Sequence, residues 1–351
     1  MDLTPYLKLM VEKDASDLFL TTNSPVKIKF EGQITNVGKT VLTPEVTKAA
    51  AYGIMNEAQQ KIFEDTKECD FAIELEGFAR FRVNVFNQRR SVGVVLRRIP
   101  SEIPTMEQLK TPPVLGEIIM AKRGLILMVG ATGSGKSTTL AALINHRNQN
   151  TANHILTIED PVEFSHPNLK SIVNQREVTV DTDSYAKALK ASLREAPDVI
   201  LIGEIRDRVT MEAALELANT GHLAISTMHA NNANQAMERV INMFPNDAHK
   251  QLLMDLSLNL KAVLSQRLVM TVDGKRAAAI EVMVNTPHIA ELILQGKLEE
   301  VKEAMGTSGQ KGMKTFDNAL YDLYKEGRIE LEVALANADS KADLEAKINF
   351  G

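Results

Sequence analysis

The sequence has no tryptophan, and only one cysteine, Cys69. A single thiol forms no internal disulfide, so Cys69 reads as a small core residue in a chain suited to a reducing compartment. Positive charge is not in excess: 40 Lys and Arg against 45 Asp and Glu give a formal net charge of −5. That balance leaves no global footprint for nucleic acid or for an anionic membrane, so a basic site has to be local. No apolar run approaches the ~18 residues of a membrane span. The opening MDLTPYLKLMVEKDASDLFL also lacks the basic and apolar regions of a secretory signal. The expectation is a chain with no direct membrane insertion, meeting any membrane through a partner.

What is present is an ordinary globular composition, 44% hydrophobic and 24% charged, over 351 residues. That length supports two domains, each with its own core. Residues 1–98 alternate short strand-like stretches with helix. Segments 25–32 and 33–38 read as a hairpin around a Glu-Gly-Gln turn. Residues 44–63 read as helix, and 69–77, 79–88 and 91–99 alternate at period two. The expectation is a mixed sheet with helices packed on one face. Residues 99–113 carry four prolines and few apolar anchors, as a linker does.

The rhythm then changes. GLILMVG (124–130), HILTIED (154–160), DVILIGE (198–204) and HLAISTMH (222–229) are near-continuous apolar runs, the signature of parallel strands buried on both faces. Helical segments at 136–148, 184–196 and 211–219 separate them, with Pro197 and Gly221 as stops. This alternation predicts an α/β fold with a doubly wound core over 114–285. From Asn246 the chain reads as mostly helical, with Leu253, Leu256, Leu260, Val263 and Leu264 on one helical face. A short hairpin through Asp273-Gly274 follows. Residues 286–351 read as a C-terminal segment of three or four short helices. There is no internal repeat.

GATGSGKS (130–137) fits G-x-x-x-x-G-K-[ST] at every fixed position, directly after a strand and before a helix. Gly130, Gly133 and Gly135 let the backbone curl until several N–H groups converge on phosphates. The following helix adds its positive dipole end. Lys136 reaches the β- and γ-phosphates and the Ser137 hydroxyl ligates Mg²⁺. With Thr132, Ser134 and Thr138, these residues make up the nucleotide-binding set, with ATP and Mg²⁺ as the implied ligands.

Ligands of open α/β sheets sit beyond the carboxyl ends of the strands. The four apolar runs end, in turn, in the phosphate loop, in Glu159 and Asp160 with Glu163 just beyond, in Glu204, and in Thr227 and His229. Hydrolysis of a magnesium nucleotide needs one acid beside the metal and another to orient water. Glu204 occupies the metal-side position. Glu163, in a loop past its strand, is the candidate base, with Glu159 the alternative and Glu159 and Asp160 otherwise bracing the loop. His229 either senses the γ-phosphate or is merely solvated at a strand end. His222 lies at the opposite end of its strand, and Asp198 reads as a structural cap.

Residues 80–98 hold Arg80, Arg82, Arg89, Arg90, Arg97 and Arg98, with no acid among them. Alternation puts Arg80, Arg82 and Asn84 on one sheet face and Phe81, Val83 and Val85 on the other. Such a stripe is either a solvated face or a set of guanidinium forks for phosphate, including a finger supplied in trans. Single-stranded nucleic acid fits it less well, since the stripe offers no aromatic stacking platform.

Together ASDLFL (15–20), ARFRVNVFNQ (79–88), GATGSGKSTTLAA (130–142), ILTIEDPVEF (155–164), VNQREV (173–178), LREAPDVILIGEIRD (193–207) and TGHLAISTMHANNA (220–233) resemble a known family. It is the secretion-superfamily ATPases of the type IV pilus retraction branch, the PilT/PilU group. The resemblance implies a PAS-like N-terminal domain, a RecA-like P-loop motor domain and a cytoplasmic homohexamer at the inner-membrane base of a pilus machine. It assigns catalysis to Glu163, metal-side function to Glu204 and nucleotide sensing to His229, and it brings Arg82 and Arg97 to the ATP. The implied partners are the PilT retraction ATPase and the inner-membrane pilus platform protein. HIAELILQG (288–296) stands where the PilT type carries AIRNLIRE. The tail KTFDNALYDLYKEGRI (314–329) with NADSKADLEAKI (337–348) resembles the PilU type, which depends on PilT to pull. A hexameric nucleic-acid translocase on the same core, and an inactive docking ring, are the rival readings.

Overall fold

The computed structural model describes residues 1–30, 33–75, 78–99, 102–307 and 312–350. The chain divides into two compact units, Met1–Glu102 with Glu163–Ser165, and Ile103–Val162 with His166–Gly351.

The first unit runs α1 (Thr4–Glu12), β1 (Asp17–Leu20), β2 (Pro25–Phe30), β3 (Gln33–Val41), α2 (Pro44–Ile54), α3 (Glu57–Thr66), β4 (Glu68–Leu75), β5 (Ala79–Gln88) and β6 (Ser91–Ile99). Its sheet has the order β3-β2-β1-β6-β5-β4. Every pairing in it is antiparallel, which corrects the expected mixed sheet. Short connections explain this for the sequential pairs β1–β2, β2–β3, β4–β5 and β5–β6, because parallel neighbours need a crossover of a dozen or more residues; β1–β6 joins distant segments. The β5–β6 turn has only Arg89 and Arg90, at φ 45° and 65°, the left-handed pair that a two-residue hairpin requires. The hairpin expected at 25–38 is β2 paired with β3, while its turn at Glu31-Gly32 lies outside the described residues.

The single helix expected over 44–63 is two helices. Met55 is extended, and Asn56 starts α3 with a capping box to Gln59. Leu18, Ile28, Phe81, Val83, Val85 and Leu96 form the core of this unit, with Cys69 among them. Burial raises the Cys69 thiol, as suits an unreactive packing residue.

The second unit continues with α4 (Val114–Ile119), β7 (Gly124–Val129), α5 (Lys136–Asn150), β8 (His154–Glu159), β9 (Ile172–Glu177) and α6 (Tyr185–Ser192). Next come β10 (Val199–Ile202), α7 (Arg208–Asn219), β11 (Leu223–Met228), α8 (Ala233–Asn242), α9 (His249–Asn259), β12 (Leu260–Met270) and β13 (Arg276–Val284). Five helices close it: α10 (Pro287–Leu294), α11 (Leu298–Thr307), α12 (Phe316–Lys325), α13 (Leu331–Asn337) and α14 (Lys341–Phe350), against the three or four expected. The sheet order is β13-β12-β7-β11-β10-β8-β9, with β13 antiparallel and the rest parallel.

Two cores flank this sheet, as a doubly wound fold requires. Leu125, Leu127 and Val129 of β7 enter one, and Ile126 and Met128 the other. The apolar run in β7 therefore has no polar beat because neither face meets water.

The largest correction concerns β12. Leu260, Val263 and Leu264 were expected on a helix with Leu253 and Leu256, but α9 stops at Asn259. Val263 packs into one core and Leu264 into the other, as alternate strand residues do. A strand buried on both faces shows no period of its own, so neighbouring helical spacing masked it.

Candidate nucleotide site

Strand register sets the site. β7 pairs Val129 with Met228 of β11, and Ile202 of β10 stands beside Ile158 of β8 and Ser226 of β11. Gly130, Glu159, Glu204 and His229 therefore leave the sheet at one edge. The expectation that four runs deliver their polar ends together agrees with this register.

Gly130 opens the phosphate loop at φ +154°, and a Cβ there would lie 2.5 Å from Ser134 Oγ and 2.6 Å from the Gln266 carbonyl oxygen. Only glycine lets the loop pass that close to β12. Gly135, at φ +84°, is the N-cap of α5 and supplies no side-chain cap. By contrast Ser184, Asp207 and Asn232 cap α6, α7 and α8 with their own oxygens. The first N–H groups of α5 are thus left for an anion. Ser134 adds a buried hydroxyl that has no hydrogen-bond partner among the described residues.

Lys136 folds back over the loop, donating to the Gly130 and Ala131 carbonyl oxygens at 2.7 and 3.0 Å. Burial pulls its ammonium below the ordinary lysine value, and the nearby Glu204 carboxylate opposes that shift. Ser137 is exposed on the first turn of α5, with Thr132 exposed on the loop and Thr138 half-buried beside them.

Glu204 is 15% exposed, and its Oε1 lies 3.1 Å from His229 Nε2. Its Oε2 accepts from Arg206 Nε at 2.7 Å. Lys136, Glu204 and His229 are therefore neighbours at one rim. Glu159 is tied down by Thr157 Oγ1 at 2.6 Å and Gln175 Nε2 at 3.2 Å, which fits the bracing expected of it. Glu177 holds the loop as well, accepting from the Val162 N–H at 3.1 Å. Glu163 follows this braced loop and belongs to the stretch 163–165 that groups with the first unit. Asp198 accepts from the His154 N–H at 2.8 Å, a structural cap. His222 Nδ1 sits 3.2 Å from the Leu217 carbonyl oxygen at the end of α7, away from the rim.

Arg82 and Arg97 belong to the first unit, where they are direct cross-strand partners on β5 and β6. Across the next pairing Arg97 meets Asp17 of β1, donating from Nε at 2.8 Å. Arg98 pairs with Asp14. The stripe was expected to be uncompensated; the sheet corrects this by bringing acids from distant segments. The Arg82 side chain has no hydrogen bond or ion pair among the described residues, and the same holds for Arg89 and Arg90 at the turn.

Three groups escaped the sequence reading. Gln266 of β12, fully buried, donates to the Ser134 carbonyl oxygen at 2.8 Å and accepts from Thr139 Oγ1 at 2.8 Å, clamping the phosphate loop from below. The misread strand hid it. Arg206 was visible only as the residue two past Glu204. Tyr185 opens α6, and its phenol is pushed up by burial and then by the Asp160 and Glu159 carboxylates, so it stays protonated at the rim. Beside the loop lie a cavity of ≈ 810 Å³ that includes Gly135, Thr138 and Leu268, and one of ≈ 320 Å³ that includes Gly130–Ser134.

Comparison with known proteins places these features in context. The Type II/IV secretion system protein family matches residues 2–316. The chain is 54% identical to the type IV pilus ATPase PilU of Pseudomonas aeruginosa, covering 100% of this chain and 92% of that protein. It is 43% identical to the PilT retraction ATPase of the same organism, covering 98% and 99%. Among solved structures, the pilus retraction motor PilT with bound ADP superimposes with a TM-score of 0.93 at 41% identity, covering 98% of this chain and 99% of that one. The Legionella pneumophila ATPase DotB follows with a TM-score of 0.82 at 25% identity, covering 95% and 93%.

Proposed function

The chain belongs to the Type II/IV secretion system protein family, and from that premise we propose that it is an ATP-hydrolysing motor assisting type IV pilus retraction. It is the PilU type, acting together with PilT. One observation carries this reading: Glu204 and His229, 3.1 Å apart, meet beside Lys136 and the uncapped helix α5, where a triphosphate binds.

The roles follow from the chemistry of each group. The N–H groups of Gly133 to Lys136 and the Ser134 hydroxyl hold the phosphates. Lys136 swings from the loop carbonyls to the β- and γ-phosphate oxygens. His229 senses the γ-phosphate and reports it to Glu204. Glu163 orients and deprotonates the attacking water.

The donor set fits Mg²⁺, a hard cation that prefers oxygen and keeps much of its water. The Ser137 hydroxyl and Glu204 carboxylate would hold it. Bound Mg²⁺ neutralises charge across the transferred phosphoryl group.

Arg82 and Arg97 complete the site of a neighbouring subunit in a homohexamer, and residues 99–113 serve as the hinge of the cycle. No helix among the described residues is long and apolar enough to cross a membrane. The ring works in the cytoplasm and reaches the inner membrane through the pilus platform protein. The relatives are pilus and secretion ATPases, which does not support the nucleic-acid translocase reading.

The test has two parts. The purified protein should hydrolyse ATP only with Mg²⁺, and Glu163→Gln should keep nucleotide binding while turnover falls about 10²–10⁴-fold. Normal turnover in the variant removes Glu163 from its role. A strain lacking this protein should show weakened retraction when PilT is present, and restoring the protein without PilT should restore none. Unimpaired retraction in that strain overturns the pilus assignment.

A further inference from the structure

Arg267, next to the loop-clamping Gln266 on β12, donates from both terminal guanidinium nitrogens. It donates to the Asn337 carbonyl oxygen at 2.6 Å, to Asp339 Oδ1 at 2.6 Å and to the Asn231 carbonyl oxygen at 3.1 Å. It also lies 4.0 Å above the ring of Phe316, a fully buried residue of α12. Asn231 is two residues past His229. Arg267 therefore holds the loop carrying His229 with one edge and the end of α13 with the other.

Asp339 anchors the far side. Its side chain is 10% exposed, yet it takes charge from Arg267 and from Lys302 at 3.3 Å, and accepts from Asn232 Nδ2 at 3.2 Å. Burial alone would raise this carboxyl; Arg267 and Lys302 overcome that and hold it below the ordinary aspartate value. Its own N–H and that of Ser340 donate to the Asp317 carboxylate of α12 at 2.7 and 3.2 Å. Glu281 of β13 grips the same His229 loop by accepting from the Ala233 N–H at 2.8 Å. Arg267 and Asn337 also line the ≈ 320 Å³ cavity, together with Gly130–Ser134.

From this geometry we infer that Arg267 and Asp339 are positioning residues that make the segment Asn337–Ser340 a wall of the nucleotide cavity. Docking of that segment and binding of nucleotide then stabilise each other. This rests on the nucleotide reading of the phosphate loop. Such coupling is reciprocal: whatever the docked segment adds to nucleotide affinity, nucleotide adds to docking of the segment. The tail that distinguishes the sequence, NADSKADLEAKI, thereby acts on the site rather than only ending the chain.

Hydrogen exchange on the full-length protein, with ADP as the probe, tests this. ADP should slow exchange over residues 331–348 about tenfold in the wild type. Asp339→Asn and Arg267→Lys should each abolish that increment and weaken ADP binding about tenfold, while amides of the first-unit sheet exchange as before. The wild-type measurement needs no variant, so a variant that fails to fold does not shelter the inference. ADP binding with unchanged exchange over 331–348 overturns it, as does wild-type ADP affinity in both variants. Absence of ADP binding by the wild type removes the functional reading and the inference with it.

Discussion

The phosphate loop and the arginine rung are both cationic, but their charges are held differently. In the second unit Lys136 already bonds two loop carbonyls, and Gln266 secures Ser134 and Thr139 beneath it. In the first unit Arg82 stands across from Arg97, a like charge, and has no acid partner among the described residues. The loop is preorganised by its own chain, so nucleotide binding there needs little rearrangement. The rung is half compensated: Arg97 has Asp17, while Arg82 keeps a guanidinium with no ion pair among the described residues.

The sharpest way to break this contrast is Arg82→Ala. We expect turnover in assembled rings to fall about 10³-fold, with the unfolding midpoint unchanged because the Arg82 side chain has no hydrogen bond or ion pair among the described residues. Arg97→Ala should differ: Asp17, 5% exposed, loses its cationic partner and keeps only the Ser16 hydroxyl, and stability drops by about 1–3 kcal/mol in addition. Equal midpoints for the two variants would erase the distinction. Lys136→Ala comes next, lowering turnover about 10²–10³-fold in rings and isolated subunits alike. If only rings suffer, the loop is not the self-sufficient half of the comparison.

Gln266→Leu probes the clamp. It leaves the Ser134 carbonyl and Thr139 hydroxyl without their partner, and urea unfolding should show a loss of about 1–3 kcal/mol together with weaker ADP binding. Wild-type ADP affinity would show that the loop holds its shape unaided.

The smallest effect is acid sensitivity. Burial pushes His166 down to about 4, so between that value and the free-chain value near 6.5 only the unfolded chain takes up its proton. Stability should fall as pH drops through this window, by up to about 1.4 kcal/mol per unit, and His166→Gln should flatten the slope in unfolding at pH 7 and pH 5.

Much of this site was readable in advance where the constraint is local. Gly130, Gly135 and Lys136 are dictated by backbone dihedrals and by the start of a helix, and a buried parallel strand announces itself as an unbroken apolar run. Glu204 and His229 were found because such strands end at one edge. Gln266 and Arg267 were not, because Leu260, Val263 and Leu264 mimic helical spacing when both faces of a strand are buried. The compensation of Arg97 was equally invisible, since Asp17 lies in another segment and reaches it only through β1–β6 pairing.

Residue order alone was enough for the cradle and for the α/β architecture, because glycine dihedrals, helix starts and apolar runs act over a few neighbouring residues. The clamp under the loop, the rung beside Asp17 and the latch from Arg267 to Asp339 came from the folded chain. They join residues as far apart as Ser134 and Gln266, 132 positions along the chain. Strand register, set by the packing of the whole sheet, is what brings such distant groups within hydrogen-bond reach.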